Sequence, residues 1–205
     1  MKNDNLLIVF VKNAVLGHAK TRLAKSIGDK SAFEVYKTLL SITERETTSL
    51  DNCDVHIYFS NEVADDLWPG KPKFVQQGKD LGERMENAFI QGFKANYKQI
   101  IGVGSDLPDL NATIIQEGLS ALTETDTVFG PADDGGYYLI GMKKHLSCIF
   151  KNKSWSTESL LTETKTELEE KGHSTTLLEV LNDIDTIEDL RSSSIAGEYQ
   201  DILSL

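Results

Sequence analysis

The apolar positions fall into two periodicities that alternate along the chain. Leu6-Leu-Ile-Val-Phe-Val11 is a continuous apolar run, the mark of a strand buried on both faces of a parallel sheet. A polar, glycine-containing loop follows over 12–25. Ser31 and Glu34 then read as a capping box that starts a helix, continued by Phe33, Tyr36, Leu40 and Thr43 at helical spacing. Val55, Ile57 and Phe59 alternate within a strand over 53–59. The order repeats with a short strand at 73–76, a helix over roughly 80–97 and a buried strand at 99–104. Asn111 caps a helix reaching Leu122, and strands are predicted at 127–129 and 137–142. Leu160, Leu161, Thr164 and Leu168 share one face of a helix that stops at Gly172. A last strand at 175–180 and a helix from Thr186 complete the pattern. Such alternation predicts an α/β fold with a mostly parallel sheet, whose ligands sit beyond the carboxyl ends of the strands.

Composition narrows this picture. The 205 residues are 40% hydrophobic and 26% charged, enough for a core without staples, and no linker-like tract divides them. A single domain over 1–205 is expected. Twenty-one basic against 32 acidic residues give a net charge of −11, which argues against nucleic-acid or anionic-membrane partners but leaves room for a local anion site. Cys53 and Cys148, far apart, suit reduced thiols, and no run is long enough to span a bilayer, so a cytoplasmic protein is expected.

Chemistry gathers at the predicted strand ends. After the first strand comes Lys12-Asn-Ala-Val-Leu-Gly17-His-Ala-Lys20-Thr-Arg22-Leu23. A strand-to-helix loop of this kind offers free N–H groups and a helix dipole to phosphates. Lys20 would add a point charge, Arg22 a planar fork. Neither Walker A nor G-x-G-x-x-G spacing is present, and a solvated basic loop is the competing reading. Asp106 falls at the end of strand 99–104, where a carboxylate suits Mg²⁺ or Mn²⁺; a turn carboxylate before Pro108 is the alternative.

The stretch Gly130-Pro-Ala-Asp133-Asp134-Gly135-Gly136-Tyr137-Tyr138 places two carboxylates before two glycines. Adjacent buried carboxylates raise one another's pKa, which suits a general base; a hairpin turn with exposed acids is the plainer alternative. In Asn182-Asp183-Ile184-Asp185-Thr186, spacing makes Asp185 the cap of the last helix and Asp183 a solvated or turn acid. Thr157 is the expected cap of the helix after Trp155, which itself shields a pocket or simply packs. The four histidines show no metal-ligand spacing, and there is no G-x-S-x-G.

Taken together, K-N-x-x-x-G-x-x-K-T-R-L, G-x-D-L-G-E-R-M (78–85), G-S-D-x-P-D-L (104–110), G-P-A-D-D-G-G-Y-Y-L-I-G (130–141), W-S-T-E (155–158) and N-D-I-D-T-x-E-D-L (182–190) resemble the DUF2064 family. These are glycosyltransferase-like proteins of the GT-A fold, in the nucleotide-diphospho-sugar transferase superfamily, some of them associated with radical-SAM and arsenosugar neighbourhoods. A wider resemblance runs to phospholactate guanylyltransferase and to molybdenum-cofactor and sugar-acid cytidylyltransferases. The first loop departs from the double-glycine G-G-x-S-x-R-x-G form of many of those enzymes.

The resemblance implies a three-layer αβα domain with a GT-A-like, mostly parallel sheet. It implies that Lys20 and Arg22, with Lys12, Gly17 and Asp80, hold the phosphates of a nucleotide-activated donor. It turns Asp106 and Asp185 into ligands for Mg²⁺ or Mn²⁺. Gly135, Gly136, Tyr137 and Trp155 are assigned to a small-molecule acceptor, with Asp133 or Asp134 as its base. Glycosyl transfer from a nucleotide sugar is the leading expectation; nucleotidyl transfer with release of pyrophosphate and non-catalytic nucleotide binding are the alternatives. Donor base, sugar, acceptor and oligomeric state are left open by the sequence.

Overall fold

The computed structural model describes residues 3–204. Among them, seven strands form one sheet in the order β3-β2-β1-β4-β6-β5-β7: β1 (Asn5–Val11), β2 (Asp54–Phe59), β3 (Lys73–Val75), β4 (Gln99–Val103), β5 (Thr127–Pro131), β6 (Tyr137–Met142) and β7 (Thr175–Leu177). β6 runs antiparallel to both of its neighbours, and every other pairing is parallel. The helices are α1 (Thr21–Ile27), α2 (Asp29–Thr48), α3 (Leu81–Lys94), α4 (Ala112–Glu124), α5 (Leu160–Glu170), α6 (Ile187–Ser192) and α7 (Gln200–Leu203). They cover the sheet, so the chain folds as a mixed α/β layer structure, as expected. No described helix is long and apolar enough to cross a membrane.

The alternation in β1 sorts its side chains between two cores. Leu7, Val9 and Val11 join the cluster with Tyr36, Leu40, Ile114 and Leu119 of α2 and α4. Leu6 and Ile8 face the cluster that holds Phe89 of α3 and Leu168 of α5. Both faces are buried because helices cover both, which is why β1 reads as one apolar run.

Several boundaries differ from the sequence reading. The loop after β1 is helical from Thr21 onward, and α1 runs almost directly into α2 through Gly28, whose φ is 81°. Helix α2 therefore starts at Asp29, and Ser31 lies inside it instead of capping it; Asp29 in the first turn complements the helix dipole. Thr157 does not cap α5 either: its hydroxyl donates to the Ser154 carbonyl, and Ser159 occupies the cap position. β7 ends at Leu177, after which the chain leaves the ladder. Asn111 and Gly172 hold the expected places at the ends of α4 and α5.

The register brings the site together. Val9 pairs with Val103 and Val11 with Phe59, so β1, β2 and β4 end at one edge of the sheet. Antiparallel β6 pairs Leu139 with Val103 and so contributes its beginning to the same edge.

Candidate active site

A cleft of about 810 Å³ opens over that edge. Lys12, Lys20, Arg22, Asp106, Asp134, Gly136, Tyr137, Trp155 and Asp185 of the sequence-derived set line it. Gly17, Asp80, Asp133 and Gly135 do not.

The charged centre is built around Lys20. Its ammonium lies 2.9 Å from Asp106 Oδ2 and 3.3 Å from Asp185 Oδ1, with the side chain only 6% exposed. Lys20 is also the residue before α1 and sits in the left-handed region at φ 47°, ψ 53°. A non-glycine residue held there costs on the order of 1 kcal/mol, and the two ion pairs offset that strain. Burial works to lower the Lys20 pKa; the charge and hydrogen bond of Asp106, with Asp185 and Asp183 beyond, outweigh it and hold the pKa above the usual lysine value. Arg22 reaches Asp185 Oδ2 at 3.7 Å from a mostly exposed position. Lys20 is thus committed to carboxylates, whereas Lys12 and Arg22 extend into solvent at the cleft mouth.

Asp183 also faces the cleft, which its reading as a solvated acid did not foresee. Burial and then the Asp106 charge push its carboxyl up to about 6, against the pull of Lys20, with Asp185 and Asp134 adding to the rise. The signal was present in the alternation: in an extended segment residues i and i+2 share a side, and buried Ile184 points away between Asp183 and Asp185. Nor is Asp185 a cap. Thr186 caps α6 in a capping box with Asp189, which frees the Asp185 carboxylate.

Three carboxylates therefore face one buried ammonium and one exposed guanidinium. The donors are all carboxylate oxygens, the kind of set that suits a hard divalent cation. Among the described residues no group of three or more His, Cys, Asp or Glu is arranged to hold an ion as placed. The Lys20 ammonium stands between the two carboxylates a cation would use.

The acidic pair lies at the tip of the β5–β6 hairpin, closed by bonds from Ala132 N to Gly136 O and from Gly135 N to Ala132 O. Both acids are exposed, so the buried-pair environment expected for them is not formed. Asp134 faces the cleft and accepts from the Gly136 amide at 2.8 Å; Asp133 points elsewhere, its N–H bonded to Leu181 O. Gly135, at φ 85°, packs against the main chain of Glu158, where any Cβ would collide. It fits helix α5 to the hairpin. Asp80 caps α3 by accepting from Glu83 N at 2.8 Å, and Gly17 makes a turn at φ 80°. Trp155 both lines the cleft and packs, its ring edge-on to Tyr137 at 6.5 Å and against Gly82.

A family described as "Uncharacterized protein conserved in bacteria (DUF2064)" matches residues 43–157, more than half of the chain. The chain belongs to this family. The matched segment holds Asp106, the hairpin and Trp155, and leaves Lys20, Arg22 and Asp185 outside. Among solved structures, this DUF2064 protein is similar to a protein from Desulfovibrio desulfuricans G20 whose assignment as a nucleotide-diphospho-sugar transferase is provisional. The two share 28% identity at a TM-score of 0.90 over 98% of this chain and 97% of that one. Weaker likenesses show the fold alone. One is CMP:2-keto-3-deoxy-manno-octonic acid synthetase complexed with CTP (9% identity, TM-score 0.60, 96% and 99% covered). Another is Rv0371C from Mycobacterium tuberculosis H37Rv in complex with manganese (12%, 0.54, 100% and 100%). No curated protein sequence matches significantly.

Proposed function

We propose that this DUF2064 protein transfers a glycosyl group from a nucleotide sugar to a small-molecule acceptor. The observation that carries the reading is the convergence of Lys20, Asp106 and Asp185, from three distant segments, on one cleft at the carboxyl edge of the sheet. The high structural similarity to the Desulfovibrio protein supports it. Asp106 and Asp185, with Asp183 beside them, would hold Mg²⁺ or Mn²⁺, which neutralises charge on the leaving phosphate. Lys12 and Arg22 meet the donor phosphates at the mouth, and Lys20 supplies positive charge from behind. Asp134, the cleft-facing acid of the hairpin, takes the acceptor proton; Tyr137, Gly136 and Trp155 wall its subsite.

The test is a thermal-shift panel of nucleoside triphosphates and nucleotide sugars with Mn²⁺ or Mg²⁺, followed by product analysis. A ligand that binds the native state raises the melting temperature in proportion to its affinity. Metal-dependent stabilisation by a nucleotide sugar, with release of nucleoside diphosphate on turnover, is the expected result. Pyrophosphate release from a triphosphate would identify nucleotidyl transfer instead. Binding without turnover of any donor would identify a nucleotide-binding protein.

A further inference from the structure

The cleft has two lobes resting on different cores. Its charged residues stand over the cluster that includes Ala19, Tyr36 and Leu107. Met85 and Ile140 belong to the cluster on the opposite face of the sheet, with Phe10, Tyr137 and Trp155 packed against it. Between these side chains Gly102 lets the Phe10 and Phe89 rings settle onto the sheet, since a Cβ there would press to about 3.0 Å from both, so the floor is made of aromatic rings. This second lobe is apolar, flanked by aromatic rings, and remote in composition from the carboxylate centre.

One cationic donor beside that apolar floor has no carboxylate partner. Arg84 of α3 lines the cleft, half-buried, and its Nε donates only to the Gly78 carbonyl at 3.3 Å. Arg22, Arg45 and Arg191 each have a carboxylate partner; among the described residues Arg84 has none. In a chain of net charge −11, a guanidinium left without a carboxylate in a cleft is available to an anionic group of a ligand. The Tyr137 ring packs against the apolar cluster beneath this lobe, with its hydroxyl buried and unpartnered.

We propose that this lobe is the acceptor subsite, and that the acceptor carries a flat apolar or aromatic body with an anionic group, carboxylate or phosphate, held by the Arg84 guanidinium. The proposal deepens the transferase reading by naming the acceptor's chemistry, and rests on it only in assigning the charged lobe to the donor.

The experiment titrates the full chain with 3-phenyllactate and phenyl phosphate, and with neutral benzyl alcohol, by calorimetry and tryptophan emission. Trp155 lies in the cleft and Trp68 is fully buried, so an emission change reports the lobe. Nucleotide binding is measured separately by thermal shift. The anionic probes are expected to bind and perturb emission, and benzyl alcohol to do neither. Arg84→Gln is expected to weaken the anionic probes about ten- to a hundredfold, with Arg84→Lys between, while nucleotide affinity holds. Failure of both anionic probes to bind, or equal binding to Arg84→Gln, overturns the proposal. So does loss of nucleotide affinity in Arg84→Gln with no effect on the probes, which would give the lobe to the donor. Arg84-dependent probe binding in a protein that binds no nucleotide would sustain the subsite and sink the donor reading instead.

Discussion

The main-chain N–H of Ile184 donates to the carbonyl oxygen of Asp106 at 3.4 Å. This bond draws the segment before α6 against the end of β4. Because Ile184 is buried, Asp183 and Asp185 turn to the cleft on either side of it. The main chain of the carboxylate centre is thus held by backbone and by a buried isoleucine, while its Asp106 and Asp185 carboxylates meet Lys20 and Arg22.

Removing those charges tests that independence. Asp106→Ala and Asp185→Ala are each expected to abolish metal-dependent stabilisation by nucleotide while leaving the circular-dichroism spectrum unchanged. Thr186 and Asp189 cap α6 without help from the Asp185 carboxylate, so that helix should persist. Unaltered nucleotide shifts in either variant would return that residue to a structural role.

Lys20 holds two carboxylates from a buried, left-handed position. Lys20→Met is expected to cost about 1–3 kcal/mol in denaturant unfolding at neutral pH, because the acids lose their partner. Millimolar Mn²⁺ should then raise the melting temperature of the variant more than that of the wild type, since no ammonium competes with the ion. Equal shifts in both proteins would show that Lys20 does not stand where the cation binds.

Arg22 is 75% exposed at the side chain and 3.7 Å from its partner, so its ion pair contributes little to folding, about 0–1 kcal/mol. Arg22→Ala should leave stability within about 0.5 kcal/mol. Its donor affinity should fall by about 1.5–3 kcal/mol in calorimetric titration if the guanidinium grips phosphate. Arg22→Lys should recover only part of that loss, because an ammonium lacks the fork.

The hairpin acids separate by position. Asp134→Asn is expected to lower transfer by about 10²–10⁴ while donor binding and slow donor hydrolysis persist. Asp133→Asn, directed away from the cleft, should transfer at close to the wild-type rate. Product and hydrolysis rates measured on both variants decide the assignment; equal effects would remove Asp134 from the reaction.

At the opposite edge of the sheet, Asp54 accepts from Tyr97 Oη at 2.7 Å and from Asn3 Nδ2 at 3.0 Å. Burial works to raise its pKa, but these bonds outweigh it and hold the carboxyl below the usual value. A carboxylate depressed in the folded state adds stability above its unfolded pKa, near 4, and loses it as the pH falls through the folded value. Unfolding curves of the wild type should therefore weaken more steeply on acidification below about pH 4 than those of Asp54→Asn.

Sequence periodicity located every strand of the sheet and Asn111, because burial on one or both faces imprints directly on residue order. It missed α1, whose seven residues bury only Leu23 and so show little stripe. It misplaced the start of α2, where a glycine hinge does the work ascribed to a capping serine. Among the candidate residues, Asp106 stands just past the end of β4 and Lys20 at the start of the helix that follows the β1 loop. Asp183 was passed over although its two-residue spacing from Asp185 announced a shared side. Arg84, proposed above to hold an acceptor anion, drew no role from the sequence, because its distinction is the lack of a carboxylate partner, which only the folded neighbourhood defines.

The reversal of β6 has a mechanical consequence. A parallel strand would bring a long crossover loop to the cleft; the reversed one brings a tight turn, fastened within itself and to α5 through the bond from Leu161 N to Gly135 O. That wall is fixed by main-chain hydrogen bonds, and the loops at 12–20 and 150–159 supply Lys12, Lys20 and Trp155 to the rest of the cleft. On the proposed transfer reading, differences in acceptor between DUF2064 proteins are expected to collect in those two loops rather than in the hairpin. A residue inserted into the β5–β6 ladder would slip its register and turn buried side chains outward, a change the sheet does not tolerate.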